Sequence, residues 1–234
     1  MAAGDLMFTA FNADEDGWTM VATAELAANS RIYFTDNEWN GSNAFNSGEG
    51  FHRWDAGNQS IAAGTVVRFS RIDSATQLAA SVGQLSRERV DGSSTFNLSQ
   101  FGDTLYAYAG SSATTPTVFV TALSTAGFRR TEGTLQGTGL TAGINATDLP
   151  ASIDLAAWSA ARSGQTWPQF RQQIASAGNW QVSDGGNFAL QAPDLSTFNA
   201  SPIPEPSAWA AAAAGLVTLQ LLARRSAWRQ QDNL

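Results

Sequence analysis

Three groupings of polar side chains stand at spacings that suggest chemistry. Asn12, Asp14, Asp16 and Gly17, in "NADEDG", follow the N-x-D-x-D-G order that opens a calcium loop, where alternate oxygen side chains converge on one ion. The closing glutamate of such a loop is absent, and Thr23 stands in its place. A tight acidic hairpin turn accounts for the same string, so no metal is expected. Asp36 and Glu38, two residues apart, would share one face of a strand, and with Glu49 they could form the carboxylate pair of a glycoside hydrolase. Carboxylates at exposed strand ends are more often simply solvated, which leaves no catalytic residue expected. Trp18, Trp39 and Trp54 could stack on sugar rings, although core packing is the stronger expectation for them. Trp39, beside "NGS", is expected to be the most exposed of the three, so Trp39, Asp36 and Glu38 form the possible ligand surface. His52, next to Phe51 and two before Trp54, reads as a strand residue.

The rest of the composition removes other chemistries. The 234 residues contain no cysteine, one histidine and thirteen basic residues, all arginine. Thiolate metal sites, disulfides, a lysine Schiff base and a phosphate-loop lysine are therefore excluded. The formal net charge is −7, and before Ser201 eighteen acidic residues face ten arginines. No basic stripe exists to neutralise phosphates, so no nucleic-acid partner is expected. No cofactor is expected, and the chain reads as a non-enzyme.

The elements that position these residues read as mainly β. "LMFTAF", "GWTMVATAEL", "SRIYFTD", "FHRW", "TVVRFSRI", "STFNLS", "TLYAYAG" and "TVFVTAL" are strand-sized runs bounded by Gly, Asn, Asp and Ser clusters, spaced as in an antiparallel sandwich. One helix is expected over 166–177, because Trp167, Phe170 and Ile174 fall at i, i+3 and i+7 and Thr166 can cap it. Pro168 is tolerated in its first turn. "SIDLAAWSAAR" suggests a second short helix or a turn, and "NFALQAPDL" a last strand before a loose spacer.

The C-terminal end departs from all of this. Pro204, Glu205 and Pro206 precede an uncharged run, 207–223, which as a helix would span about 26 Å, close to a bilayer's hydrocarbon core. Trp209 and Trp228 would flank it, with Arg224, Arg225 and Arg229 on the C-terminal side, an asymmetry that places the C-terminus in the cytoplasm and the body outside. A single transmembrane helix is therefore expected.

The order of Pro-Glu-Pro, apolar run and Arg-rich end resembles the PEP-CTERM sorting signal of Gram-negative bacteria. The resemblance implies export, transient anchoring in the inner membrane, release to the cell surface or medium, and recognition by an exosortase, a membrane-embedded protease-transpeptidase, often alongside exopolysaccharide. An exported body needs a signal peptide, and "MAAGDLMFTAF" has neither basic nor apolar leader character, so the signal is expected to be missing from this chain.

Residues 4–191 look like a lamin-tail-type, immunoglobulin-like bacterial module, on "GDLMFTAFNADEDGWTMV", "IYFTDNEWNGSNAFNSGEG" and "IAAGTVVRF". The resemblance implies a binding or architectural domain without a known catalytic set. The expected plan is an immunoglobulin-like β-sandwich over 4–191, a spacer over 192–203 and a sorting signal over 204–229, its Arg-rich end at 224–229. The expected role is an exported envelope or extracellular-matrix protein. The alternatives are a carbohydrate-binding module or weak glycosidase, and a tail-anchored cytoplasmic protein.

Overall fold

Runs of apolar, aromatic and β-branched residues bounded by turn residues form the strands, as the computed structural model shows for residues 1–202, the residues it describes. One sheet contains β1 (Leu6–Asn12), β2 (Gly17–Ala22), β5 (Val66–Ser70), β6 (Ala79–Ala80), β11 (Leu155–Trp158) and β12 (Trp180–Ser183), in the order β12-β11-β1-β2-β5-β6. The other contains β3 (Arg31–Thr35), β4 (Phe51–Asp55), β7 (Gln84–Glu88), β8 (Thr104–Ser112), β9 (Thr115–Ser124) and β10 (Ala146–Asp148), in the order β10-β9-β8-β3-β4-β7. The two sheets make a β-sandwich, and Met1–Ser201 form one unit.

The expected fold class needs correction on two counts. An all-antiparallel immunoglobulin-like sandwich is not found: there are six strands in each sheet, and β10 pairs with β9 in parallel, Ala146 opposite Ala122. Residues 125–145 carry the chain out of β9 and back in the same direction, the long return that a parallel pair needs and a hairpin cannot give. Nor is the transmembrane helix found, since no helix among the described residues is long and apolar enough to cross a membrane. The α-helix α1 (Trp167–Ile174) has eight residues, about 12 Å of rise against a hydrocarbon core of roughly 30 Å. The run 207–223, with the flanking Trp209, Arg224, Arg225, Trp228 and Arg229, lies outside the described residues.

α1 keeps its expected place within 166–177. Phe170 and Ile174 are fully buried, Pro168 sits in the first turn, and the Thr166 amide donates to the Gln169 side chain at 2.9 Å. The helix crosses the end of the sandwich where β1 begins: Arg171 Nε donates to Thr23 Oγ1 at 2.8 Å, and Arg171 pairs with Asp5. Phe170 packs between Trp158 and Phe198, with ring centroids 6.3 and 5.3 Å away.

Four local expectations fail. "SIDLAAWSAAR" contributes β11 rather than a helix, because Ala156 and Ala157 complete the ladder beside Phe11 and Ala10. "NFALQAPDL" and "STFNLS" are irregular, their amides being used elsewhere as described below. Part of the 192–203 spacer is a strap on the body. Asn12 Nδ2 donates to the Phe188 carbonyl at 2.9 Å, and the Phe198 amide donates to Gly64 at the opposite end, also at 2.9 Å. Gly64 has φ +93, and a Cβ there would lie 2.2 Å from the Phe198 carbonyl oxygen, so only glycine allows the strap to dock.

The aromatic residues occupy two layers, separated by the second sheet. Alternation sends Phe34, Trp54 and Leu85 inward, where they meet Phe8, Trp18, Phe69 and Phe96 of the main core. Tyr33, Phe51, Tyr106, Tyr108 and Phe119 belong to a second cluster on the other face, covered by Trp39 and Phe45 from the loop after β3.

Candidate functional site: carboxylates and aromatics at one end of the sandwich

The end opposite α1 gathers the residues that the sequence marked for chemistry. "NADEDG" forms the β1–β2 turn, with Asp16 in the left-handed region at φ 55. Its oxygens do not converge on a common point. Asn12 Oδ1 accepts the amides of Asp14 and Glu15, both at 3.1 Å. Asp14 Oδ1 accepts the Gln100 side-chain amide at 2.6 Å and Oδ2 the Phe188 backbone amide at 2.7 Å. Asp16 Oδ1 accepts the Leu98 amide at 2.7 Å, and Glu15 pairs with Arg68. The turn fastens two loops, at Leu98–Gln100 and at Phe188, and pairs with β5, while burial pushes the Asp16 carboxyl up to about 6.

Asp36 does similar work from the other sheet. β3 ends at Thr35, so Asp36 and Glu38 lie in the following loop and not on one strand face. Asp36 is buried, its Oδ1 accepting the Gly50 amide at 3.1 Å and Oδ2 the Asn97 amide at 3.3 Å. Burial, with the charges of Asp103 and Glu49 nearby, holds its carboxyl well above the usual range. Asp103 accepts the Ser99 and Thr104 amides at 3.2 and 2.7 Å, and burial pushes it up to about 8. A Cβ on Gly50 would lie 2.5 Å from the Phe96 backbone, so glycine is required where "GEG" meets β4.

Glu49 differs from these. Its backbone amide donates to Asn37 Oδ1 at 3.1 Å, yet its carboxylate Oε2 is shut away from solvent with no hydrogen-bond partner. Burial, then the charge of Glu38, pushes this carboxyl up to about 7. Glu38 itself accepts a bond from Asn46 at 3.4 Å. His52 lies on β4 facing the main core, with Nε2 2.9 Å from the Ile72 carbonyl and its ring edge-on to Phe96. Burial pushes it down to about 4, so it stays neutral and structural at neutral pH.

The expected ligand surface of Trp39, Asp36 and Glu38 does not assemble as pictured. Trp39 is 4% exposed: its indole donates to the Gln136 carbonyl at 3.0 Å, and Phe45 and Phe119 meet it edge-on. Trp18 and Trp54 are core residues as well. What the sequence left unnoticed is a cleft of about 190 Å³ whose lining includes Phe45, Glu49, Phe51, Asp91, Ser93 and Thr114. "FNSGEGF" carried the signal, an acid set between two aromatics in a turn-rich stretch, but Asp91 and Thr114 arrive from distant loops. Among the described residues, no group of three or more His, Cys, Asp or Glu side chains is arranged to hold a metal ion. Pro204, Glu205 and Pro206 lie outside the described residues. No protein-family model, curated protein or solved structure matches this chain.

Proposed function

We propose that this chain is an exported cell-envelope or extracellular-matrix protein whose β-sandwich serves as a non-catalytic binding or structural module, delivered by a C-terminal sorting signal centred on Pro204, Glu205 and Pro206. The observation that carries the reading is the order at the C-terminal end: Pro-Glu-Pro, then seventeen uncharged residues, then Arg224 and Arg225. Two prolines keep the triplet extended and present Glu205 to a processing enzyme of the exosortase type.

The body supports a non-catalytic role in a specific way. A carboxylate pair for hydrolysis needs two groups aimed at one bond, with one free to give a proton and one to stabilise charge. Here Asp36 is turned onto the Gly50 and Asn97 amides, and the single histidine is enclosed against Ile72 and Phe96. Neither faces a substrate-sized opening together with Glu38 or Glu49. The acidic charge of the body also suits a hydrated matrix, where like-charged neighbours stay apart.

The test is processing. Expressed with an export signal in a host that carries an exosortase, the full chain should be shortened at its C-terminus and released, while Glu205→Ala should stay full-length. Equal shortening of both, judged by intact mass, would end the sorting-signal reading.

A further inference from the structure

Each sheet ends on a strand whose outer edge is open, and the two edges face opposite flanks of the sandwich. β7 is the last strand of the second sheet and β12 of the first. β6 packs beside β7 and β1 beside β9, which puts β7 on one flank and β12, with β10, on the other. Apart from the ladder with β4, no backbone group of Gln84–Glu88 is bonded to another backbone group among the described residues. The same holds for Gln181 and Val182 apart from their ladder with β11. Space for an added strand lies along β7, in a cleft of about 680 Å³ bordered by Leu78, Leu85 and Ser94. Open edges are commonly guarded by charge or proline. β12, "WQVS", has neither, and its Val182 is 40% exposed.

Charge divides between the flanks as well. Arg89, exposed just after β7, and Asp184, exposed just after β12, have no ion-pair partner among the described residues. Asp148 on β10 is exposed on the same flank as Asp184. We propose that β7 of one molecule pairs with β12 of a second copy, so that copies add head to tail. The inference goes beyond the role proposed above and does not depend on the sorting signal. An antiparallel pairing with Arg87 opposite Asp184 sets Arg89 diagonal to that carboxylate and lays the Arg89 stem over Val182. Two β7 strands match less well, since a pairing centred on Ser86, Arg87 or Glu88 sets arginines opposite or diagonal to one another. Two β12 strands carry no basic residue to meet Asp184. Because the interface joins two different surfaces, a dimer still has one of each to offer and the contact can repeat. Elsewhere the acidic surface keeps copies apart.

Sedimentation velocity of the full-length protein at concentrations up to about 1 mM tests this, in a detergent that shields the uncharged run 207–223. Species larger than a dimer should appear and grow with concentration. Arg89→Asp and Asp184→Arg should each weaken association roughly tenfold, and the double variant should recover most of the loss. Val182→Lys, which guards the edge with charge, should leave a monomer. All three positions are exposed, and an unchanged circular dichroism spectrum in each variant checks that the fold is kept. A monomer at every concentration, growth that stops at a dimer, or a double variant that recovers nothing would each overturn the proposal. So would growth that survives Val182→Lys, because association would then run through another part of the chain.

Discussion

The two ends of the sandwich are closed by different physics. At one end α1 and the strap press Phe170, Ile174 and Phe198 against Trp158, an apolar plug. At the other, Asp14, Asp16, Asp36, Asp103 and Asp154 hold loops by accepting backbone amides, Asp154 taking those of Gly185 and Gly186 at 2.8 and 3.3 Å. The plug depends on area removed from water and is indifferent to pH. The carboxylate end depends on charge in a partly dry setting, and its stability must vary with pH. A chain without lysine has few cations to set against buried acids, so it satisfies them with amides, and Glu49 Oε2 is the atom left over.

The largest effect that sharpens this contrast is expected at the plug. Phe170→Ala should cost about 3–5 kcal/mol and lower the melting temperature on the order of 10 °C, by the same amount at acid and neutral pH. A loss that changed strongly with pH would break the division between the ends.

Next comes the acidic turn. Asp14→Ala removes the acceptor for Gln100 and Phe188 and should cost about 1.5–3 kcal/mol. Hydrogen exchange should quicken in the 97–103 and 184–191 segments and stay unchanged around α1. Uniform quickening would show that the turn belongs to the same cooperative unit as the plug.

The smallest effect is the pH dependence itself. Asp16, Asp36, Glu49 and Asp103 all have carboxyls raised above their unfolded values, so the folded state binds protons more readily than the unfolded chain. Stability should therefore rise as pH falls from about 8 towards 4. His52 acts in the opposite sense, since its lowered value costs stability as pH falls from 6.5 to about 4. The rise should thus be clearest from about pH 8 to 6.5, at roughly 2–5 °C in melting temperature, and Glu49→Gln should flatten it while raising stability at the alkaline end. A melting temperature that fell over that interval would contradict the buried-acid account.

Much of the fold was legible because most of the longer strands are runs of apolar, aromatic and β-branched residues bounded by turn residues, as in "SRIYFTD" and "TVFVTAL". The failures share a cause that local sequence does not carry. "STFNLS" has strand composition, but the Asn97 and Leu98 amides go to Asp36 and Asp16, acids 61 and 82 residues away, instead of to a neighbouring strand. "NFALQAPDL" loses its Phe188 amide to Asp14 in the same manner, 174 residues distant. β7, "QLSRE", was missed because its outer positions are polar, serving ion pairs such as Glu88 with Arg53. Trp39 was expected at the surface from its Asn-Gly-Ser neighbours, yet the loop carrying Gln136, 97 residues on, covers it. The acidic motifs were correctly singled out as unusual. Their work proved structural, and only the aromatic flanks of Glu49 pointed to the cleft.

The strap bears on how such a chain comes to be folded. β1 is flanked on one side by β2, its immediate successor, and on the other by β11, which starts at Leu155, while Phe188 and Phe198 reach back to Asn12 and Gly64. A nascent chain can therefore form its first hairpin early, but it has no partner for the hairpin's open edge until most of the sequence has been synthesised. Contacts of such long sequence separation slow closure and lengthen the time for which an unpaired edge is exposed. That delay would suit the export proposed above, because a chain that closes late remains extensible until its last segment has crossed a membrane.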